Sequence, residues 1–225
     1  MSSLLALLQL VSPALPVGAF SYSEGLEVLV QQGRLAAADE VQAWLEAELQ
    51  RGLVRVEAAA LNSLTEELEH WRDEPCGPAE QRVRELDDWL LAQREALEMR
   101  QQQRQMGRSL MQLLTGLGWT LPGGAVDLSW PAAWSWAGLC LDLGGESLCK
   151  GYLFSWVANQ LSAAVRLVPL GPTESQRLQL ALAPMIDFQA RQLQDQDPRQ
   201  LTTAGVGAGL AQLQHAELYS RLFRS

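Results

Sequence analysis

Apolar positions recur at three- and four-residue intervals along most of this chain, the period of helices with one buried face. Leu4, Leu5, Leu7, Leu8 and Leu10 predict a short first helix, ended by Pro13. Leu26, Leu29 and Val30 resume the pattern, and Gly33 stands where a left-handed residue closes a helix. Asp39 can cap the next helix, which sets Val41, Trp44, Leu45 and Leu49 on one face before Gly52 bends or breaks it. Leu61, Leu64 and Leu68 carry a further helix to about Trp71. Asp73 to Pro78 is the clearest loop of the first half, and Pro78 suits a first helical position. The helical pattern from there to Gly116 is too long for one globular helix, so a break is expected within Arg94–Arg100.

A second loop is expected from Gly118 to Trp130, with Pro122, Gly123 and Gly124 inside it. Pro131 then opens a tryptophan- and alanine-rich helix, stopped at Gly144-Gly145. Glu146 to Val168 is strongly apolar but holds Lys150, Asn159, Gln160 and Arg166, which suits a buried or interfacial helix and not a membrane span. Thr173 starts another helix, which Pro184 should kink. Asp195 to Pro198 is a loop, Val206 to about Leu218 the last helix, and Tyr219 to Ser225 a tail. No alternating run bounded by hairpin turns predicts a strand. The fold class is therefore all-α: one globular domain over residues 1–225, of about nine or ten helices, with a flexible tail at 217–225.

One stretch is more tightly specified than helix periodicity needs. It runs Leu15-Pro16-Val17-Gly18-Ala19-Phe20-Ser21-Tyr22-Ser23-Glu24-Gly25-Leu26-Glu27. Pro13 and Pro16 keep its start extended. Ser21 and Glu24 have capping-box spacing, which would start a helix at Tyr22. Hydroxyls at the tip of so constrained a backbone suggest a docking surface; an ordinary well-capped helix start explains the same residues.

Charge narrows the partners. The net charge is −9, which leaves no basic surplus for nucleic acid. The acid is uneven, with 18 acidic and 10 basic side chains in residues 1–112 against 8 and 7 in the remainder. A partner of the first half is then more readily basic than acidic. Cys76, Cys140 and Cys149 form no CxxC pair and no disulfide framework, and Met1 to Leu10 has no positive leader. A reducing cytoplasm is the simplest location.

Complete catalytic sets are missing. Glu67 and His70 have the E-x-x-H spacing of di-iron bundles, but the only other histidine, His215, has Gln212 three residues before it. Gly205, Gly207 and Gly209 are not preceded by a strand, so they predict a hinge or a close helix contact, not a nucleotide site. No G-x-S-x-G is present. Cys140 and Cys149 fall on apolar helices and suit core packing. Arg100, Arg104 and Arg108 share one helix face, either as a stripe for an acidic partner or second copy, or as a solvated face paired with Glu95 and Glu98. The tail Tyr219-Ser220-Arg221-Leu222-Phe223-Arg224-Ser225 combines aromatic, apolar and arginine side chains of the kinds enriched at interfaces, which favours docking into a partner.

Five separated blocks, in order, resemble the UreF family of urease accessory proteins: LPVGAFSYSEGLE at 15–27, QMGRSL at 105–110, NQLSAAVRLVPLG at 159–171, SQRLQLALAP at 175–184 and YSRLFRS at 219–225. The resemblance implies an all-α scaffold with no catalytic centre of its own, acting in nickel insertion into urease apoprotein; no cofactor and no metal ligand is singled out. It implies binding to UreD (also called UreH), recruitment or modulation of the GTPase UreG, a homodimer within the complex, and a tail that orders on meeting UreD. Ser21, Tyr22, Ser23 and Glu24 match the first motif and are the interface candidates it implies; Tyr219, Arg221, Phe223 and Arg224 match the tail. Ala19 departs from a frequent second glycine. Arg166 replaces a frequent lysine, keeping the charge with a different donor geometry. Gln214-His215-Ala216-Glu217 departs from the usual run before the tail. A helical adaptor unconnected with urease is the alternative reading of the residues.

Overall fold

The computed structural model describes residues 3–123 and 127–225, and Gly124 of the expected second loop lies outside them. Ten α-helices and no strand occur among the described residues: α1 (Ser3–Leu10), α2 (Leu26–Gln31), α3 (Ala38–Arg51), α4 (Leu53–Asp73), α5 (Ala79–Ala92), α6 (Leu97–Gly116), α7 (Trp130–Cys140), α8 (Gly145–Leu167), α9 (Pro172–Leu193) and α10 (Val206–His215). None is long and apolar enough to cross a membrane.

Helix α4 is the hub. It packs on α3, α5, α7, α8 and α9, and Leu61, Leu64, Leu68 and Trp71 on it are buried. Helix α7 is buried nearly all round, as an amphipathic surface helix would not be. Its Trp134 stacks edge-on to Tyr152 of α8 at 5.6 Å and donates its indole N–H to the Leu148 carbonyl at 3.2 Å. The buried Asp87 carboxylate, from α5, accepts from the Ser129 N–H at 3.2 Å and from the Ser129 hydroxyl, closing the start of α7 from another helix.

Gly107, inside the QMGRSL block, lets α6 cross that same start. A Cβ there would run into the Leu128 carbonyl oxygen and lie 2.6 Å from the Ser129 carbonyl carbon, both main chain and unable to swing away. Gly107→Ala is expected to destabilise the protein by about 2–3 kcal/mol despite the better helix propensity of alanine, measured by urea unfolding.

Several boundaries differ from expectation for identifiable reasons. Asp39 is not the cap of α3; Glu40 reaches back to the Ala36 and Ala37 N–H groups, at 2.6 and 3.2 Å. Ala92 ends α5 and Leu97 begins α6, so the break covers residues 93–96, within the expected Arg94–Arg100 but for Gln93, and Arg94 turns inward there. Pro78 sits just ahead of α5 instead of in its first position. Helix α9 runs through Pro184 as one helix. Gly33 performs as expected: at φ +69° it closes α2, with the Arg34 N–H on the Leu29 carbonyl and the Gly33 N–H on Val30.

The arginine stripe finds neither Glu95 nor Glu98. Arg104 pairs with Asp87 at 3.2 Å and Asp88 at 2.9 Å, tying α6 to α5, and Arg108 pairs with Asp127, ahead of α7, at 3.1 Å. Exposed His70 lies 3.8 Å from Glu67, whose nearer partner is Arg82 at 2.7 Å. Burial pushes the thiols of Cys140 and Cys149 up to about 12, which fits packing residues.

Candidate docking surface

The two ends of the chain meet. The opening stretch does not start a helix at Tyr22, and the Ser21–Glu24 capping box does not form. Ala19–Ser21 makes a single 3-10 turn, Tyr22 is extended, and α2 begins only at Leu26. Glu24 and Gly25 intervene, both with positive φ, +54° and +87°. A glutamate in that region is strained, and three contacts hold it: its carboxylate accepts from Gln102 at 2.7 Å and from the Trp156 indole at 3.0 Å, and its N–H donates to Ser225. Gly25 is required as well for space, because a Cβ would sit 2.9 Å from the Gln212 nitrogen on α10.

The tail lies along this turned backbone. The Ser225 carbonyl oxygen accepts from the N–H groups of Ser23 and Glu24 at 2.8 and 3.1 Å and from the Ser23 hydroxyl at 2.7 Å. The Arg224 N–H donates to the Ser21 carbonyl at 2.9 Å. The buried Glu27 carboxylate accepts from the Leu222 N–H at 2.7 Å and the Phe223 N–H at 3.0 Å. Phe223 is buried beneath Arg166, whose guanidinium lies 4.4 Å from the ring centroid and donates to the Phe20 carbonyl at 3.3 Å. Arg221 reaches Glu98 of α6 at 2.5 Å. Extended backbone alternates faces, so Leu222 and Arg224 point out while Phe223 and Ser225 point in.

All nine sequence-derived candidates thus converge on one patch, in two roles. Tyr22, Ser23 and Phe223 are buried and hold the patch together. Tyr219, Arg221 and Arg224 are exposed on it, with Arg166 beside them; Ser21 and Glu24 are part-buried. Phe20, 69% exposed, and Leu222, 52%, join the outer face without having been singled out. Glu27, Glu98 and Gln102, which fasten the tail, and His215, which lies between Glu27 and Glu98, were not among those candidates. Glu27 stood inside the quoted stretch, as the one acid among the apolar positions of α2, and that was its available signal. The bonds of Glu98 to Arg221 and His215 and of Gln102 to Ser225 span more than a hundred residues and leave no local trace.

A cleft of about 200 Å³ opens beside the patch, between α10, the α3–α4 junction and the α5–α6 break. The glycine run 205–209 lies along it, but a Cβ at Gly205, Gly207 or Gly209 would meet its neighbours only at 3.8–4.0 Å, so no close approach requires glycine there. Inside the cleft stands Glu48. Burial pushes its carboxyl up to about 7, raised further by Glu24 and held back by Arg94 and Arg51. The native protein therefore takes up a proton that the unfolded chain does not hold. The stability this contributes is complete below the usual carboxylate range, falls as the pH rises from about 4.5 to about 7, and is absent above that. Glu48→Gln is expected to stabilise the protein by about 1–2 kcal/mol at pH 8, after discounting for the group's partial exposure, and by far less at pH 4.5, measured by urea unfolding at both. No group of three or more His, Cys, Asp or Glu side chains suited to hold a metal occurs among the described residues.

The chain is similar to known proteins over nearly its whole length. The family model UreF matches residues 35–183. A urease accessory protein UreF from Trichormus variabilis (strain ATCC 29413 / PCC 7937) is 39% identical over 225 residues, covering 98% of this chain and 95% of its own. One from Thermosynechococcus vestitus (strain NIES-2133 / IAM M-273 / BP-1) is 39% identical over 230 residues, covering 100% and 98%. One from Prochlorococcus marinus (strain MIT 9301) is 35% identical over 218 residues, covering 96% of each. Similarity of this extent runs through the opening stretch, α6, α8 and most of the chain beyond, so the chain belongs to the UreF family of urease accessory proteins, assisting proteins and not enzymes.

Proposed function

We propose that this protein is a cytoplasmic scaffold for nickel insertion into urease apoprotein, which binds UreD/UreH through the patch formed by the opening stretch and the tail and thereby recruits or modulates the GTPase UreG. The observation that carries the reading is the convergence of both motifs on one surface. Phe20, Tyr219, Arg221, Leu222 and Arg224 stand outward on a rigid base, and aromatic and arginine anchors of this kind dominate binding energy at interfaces. The buried members fix the orientation of the exposed ones, which reduces the ordering cost of association. In the assembled complex the protein acts as a homodimer. Nickel is the cargo of that assembly, and no site for it is assigned on this chain.

A helical adaptor outside urease maturation would offer a similar patch to other proteins. Affinity purification of the tagged chain from its native cells separates the two readings. Urease apoprotein and UreG should co-purify, and their absence, with unrelated proteins in their place, would support the adaptor.

A further inference from the structure

The cleft between α10, the α3–α4 junction and the α5–α6 break is lined by two acids, Glu48 and Glu95. Part-buried Glu48 of α3 has its Oε1 3.9 Å from where a Cβ on Gly205 would stand, and exposed Glu95 of the break has its Oε2 3.8 Å from the same point on Gly209. The Gly209 N–H donates to the Gly205 carbonyl at 2.9 Å, so both carboxylates lie along one turn at the start of α10. Among the described residues neither carboxylate receives a hydrogen bond or forms an ion pair. The cations near Glu48 are Arg51, on its own helix, and Arg94, whose charge is spent on Glu57. Four acids, Glu24, Glu48, Glu57 and Glu95, thus stand around the cleft against two arginines. Arg94 also lines the cleft, with a side chain only 4% exposed. Its Nε and Nη2 donate to Glu57, while Nη1 finds no acceptor among the described residues. Open groups of both kinds in one concave site call for a guest that brings positively charged donors and one acceptor. The walls include aliphatic side chains: Leu53, with Val206 72% and Leu210 53% exposed. At about 200 Å³ the cleft is smaller than the roughly 300–1,000 Å³ of small-molecule sites, which suits one long side chain.

We propose that the cleft receives an arginine side chain of a partner protein, with its guanidinium on Glu48 and Glu95 and its aliphatic stem against Leu53, Val206 and Leu210. A planar fork serves two carboxylates at once and sheds water more readily than an ammonium, which favours arginine over lysine. The stem covers apolar surface that otherwise faces water. A main-chain carbonyl of the arriving segment gives Arg94 Nη1 its acceptor. Burial without a close countercharge is what pushes the Glu48 carboxyl up, and the guest supplies that charge. The acid excess of residues 1–112 steers a basic segment toward this face. No residue of the tail lines the cleft, so the site stands whether or not the tail is docked, and it does not depend on which protein carries the arginine.

The test titrates N-acetyl-arginine methylamide into the full-length protein at about pH 8 and low salt, followed by amide chemical shifts. Saturable shifts should cluster at Leu53 and at 205–210 and be half-complete at about 1–10 mM, as one charged side chain allows. The citrulline analogue has the same shape without the charge and should bind about tenfold more weakly or worse. Glu48→Gln, which leaves the fold intact on the expectation given above, and Glu95→Gln at the exposed rim should each weaken arginine binding by about threefold to tenfold. Equal shifts from the citrulline analogue would overturn the proposal, as would shifts away from the cleft, or none at about 100 mM. Arginine binding unchanged from the parent protein in both variants would overturn it as well.

Discussion

Replacing Arg94 with alanine is expected to lower stability by about 3–5 kcal/mol, the largest single effect the structure predicts. Arg94 lies in the α5–α6 break, and its side chain, like that of Glu57 on α4, is almost wholly buried. The guanidinium donates to Glu57 Oε1 through Nε at 2.9 Å and through Nη2 at 2.5 Å, while the Tyr152 hydroxyl donates to Oε2 at 2.9 Å. Burial pulls the Arg94 guanidinium down, and the charges of Glu57 and Glu24 beside it more than compensate, so it remains charged. Without Arg94, Glu57 is a carboxylate in the centre of the protein with only a tyrosine for a partner. Arginine is needed because the pair uses two N–H groups of one planar fork. The loss should come from the stranded charge more than from lost packing. Combining Arg94→Met with Glu57→Leu and Tyr152→Phe should therefore recover most of the stability. Urea unfolding followed by circular dichroism measures both.

Glu27→Ala should have the second largest effect, concentrated on the tail. The carboxylate accepts the only hydrogen bonds found for the Leu222 and Phe223 N–H groups among the described residues, and it faces His215. Removing it strands two donors and one side of a buried ring. Charge-assisted hydrogen bonds contribute about 1.5–3 kcal/mol each, so the docked tail should lose about 3–4 kcal/mol relative to the released one. Amide exchange at Leu222 and Phe223 should then speed up by more than a hundredfold, with circular dichroism of the helices nearly unchanged. Glu27→Gln should fall between, because its carbonyl still accepts one bond while its charge is gone.

The helices were legible because burial of one face writes its period into the sequence. Leu61, Leu64 and Leu68 announced α4, and Gly33 announced the end of α2, since a left-handed closing residue is a local requirement. Capping was less legible: Ser21, Glu24 and Asp39 all had plausible spacing, but tertiary contacts took them elsewhere. Glu24 is drawn to Gln102 and Trp156, and Ser21 offers its carbonyl to Arg224. Helix periodicity carries no trace of partners on distant elements. The candidate site was legible as two motifs and illegible as one patch. Residue types marked Tyr219 to Ser225 as interfacial, but neither motif shows that Glu27 receives the tail or that Phe223 faces inward under Arg166. Pairings of Arg94 with Glu57, or of His215 with Glu98, need the folded chain to be seen.

The account rests most heavily on the tail and the opening stretch acting as one docking surface for UreD/UreH. Size-exclusion chromatography with light scattering, of this chain alone and mixed with UreD/UreH, tests that directly when repeated with Tyr219–Ser225 removed. The full chain should elute with UreD/UreH as one complex whose mass contains both proteins. The shortened chain, helical by circular dichroism, should elute separately from it. A complex of the same stoichiometry formed equally well by the shortened chain would contradict the account.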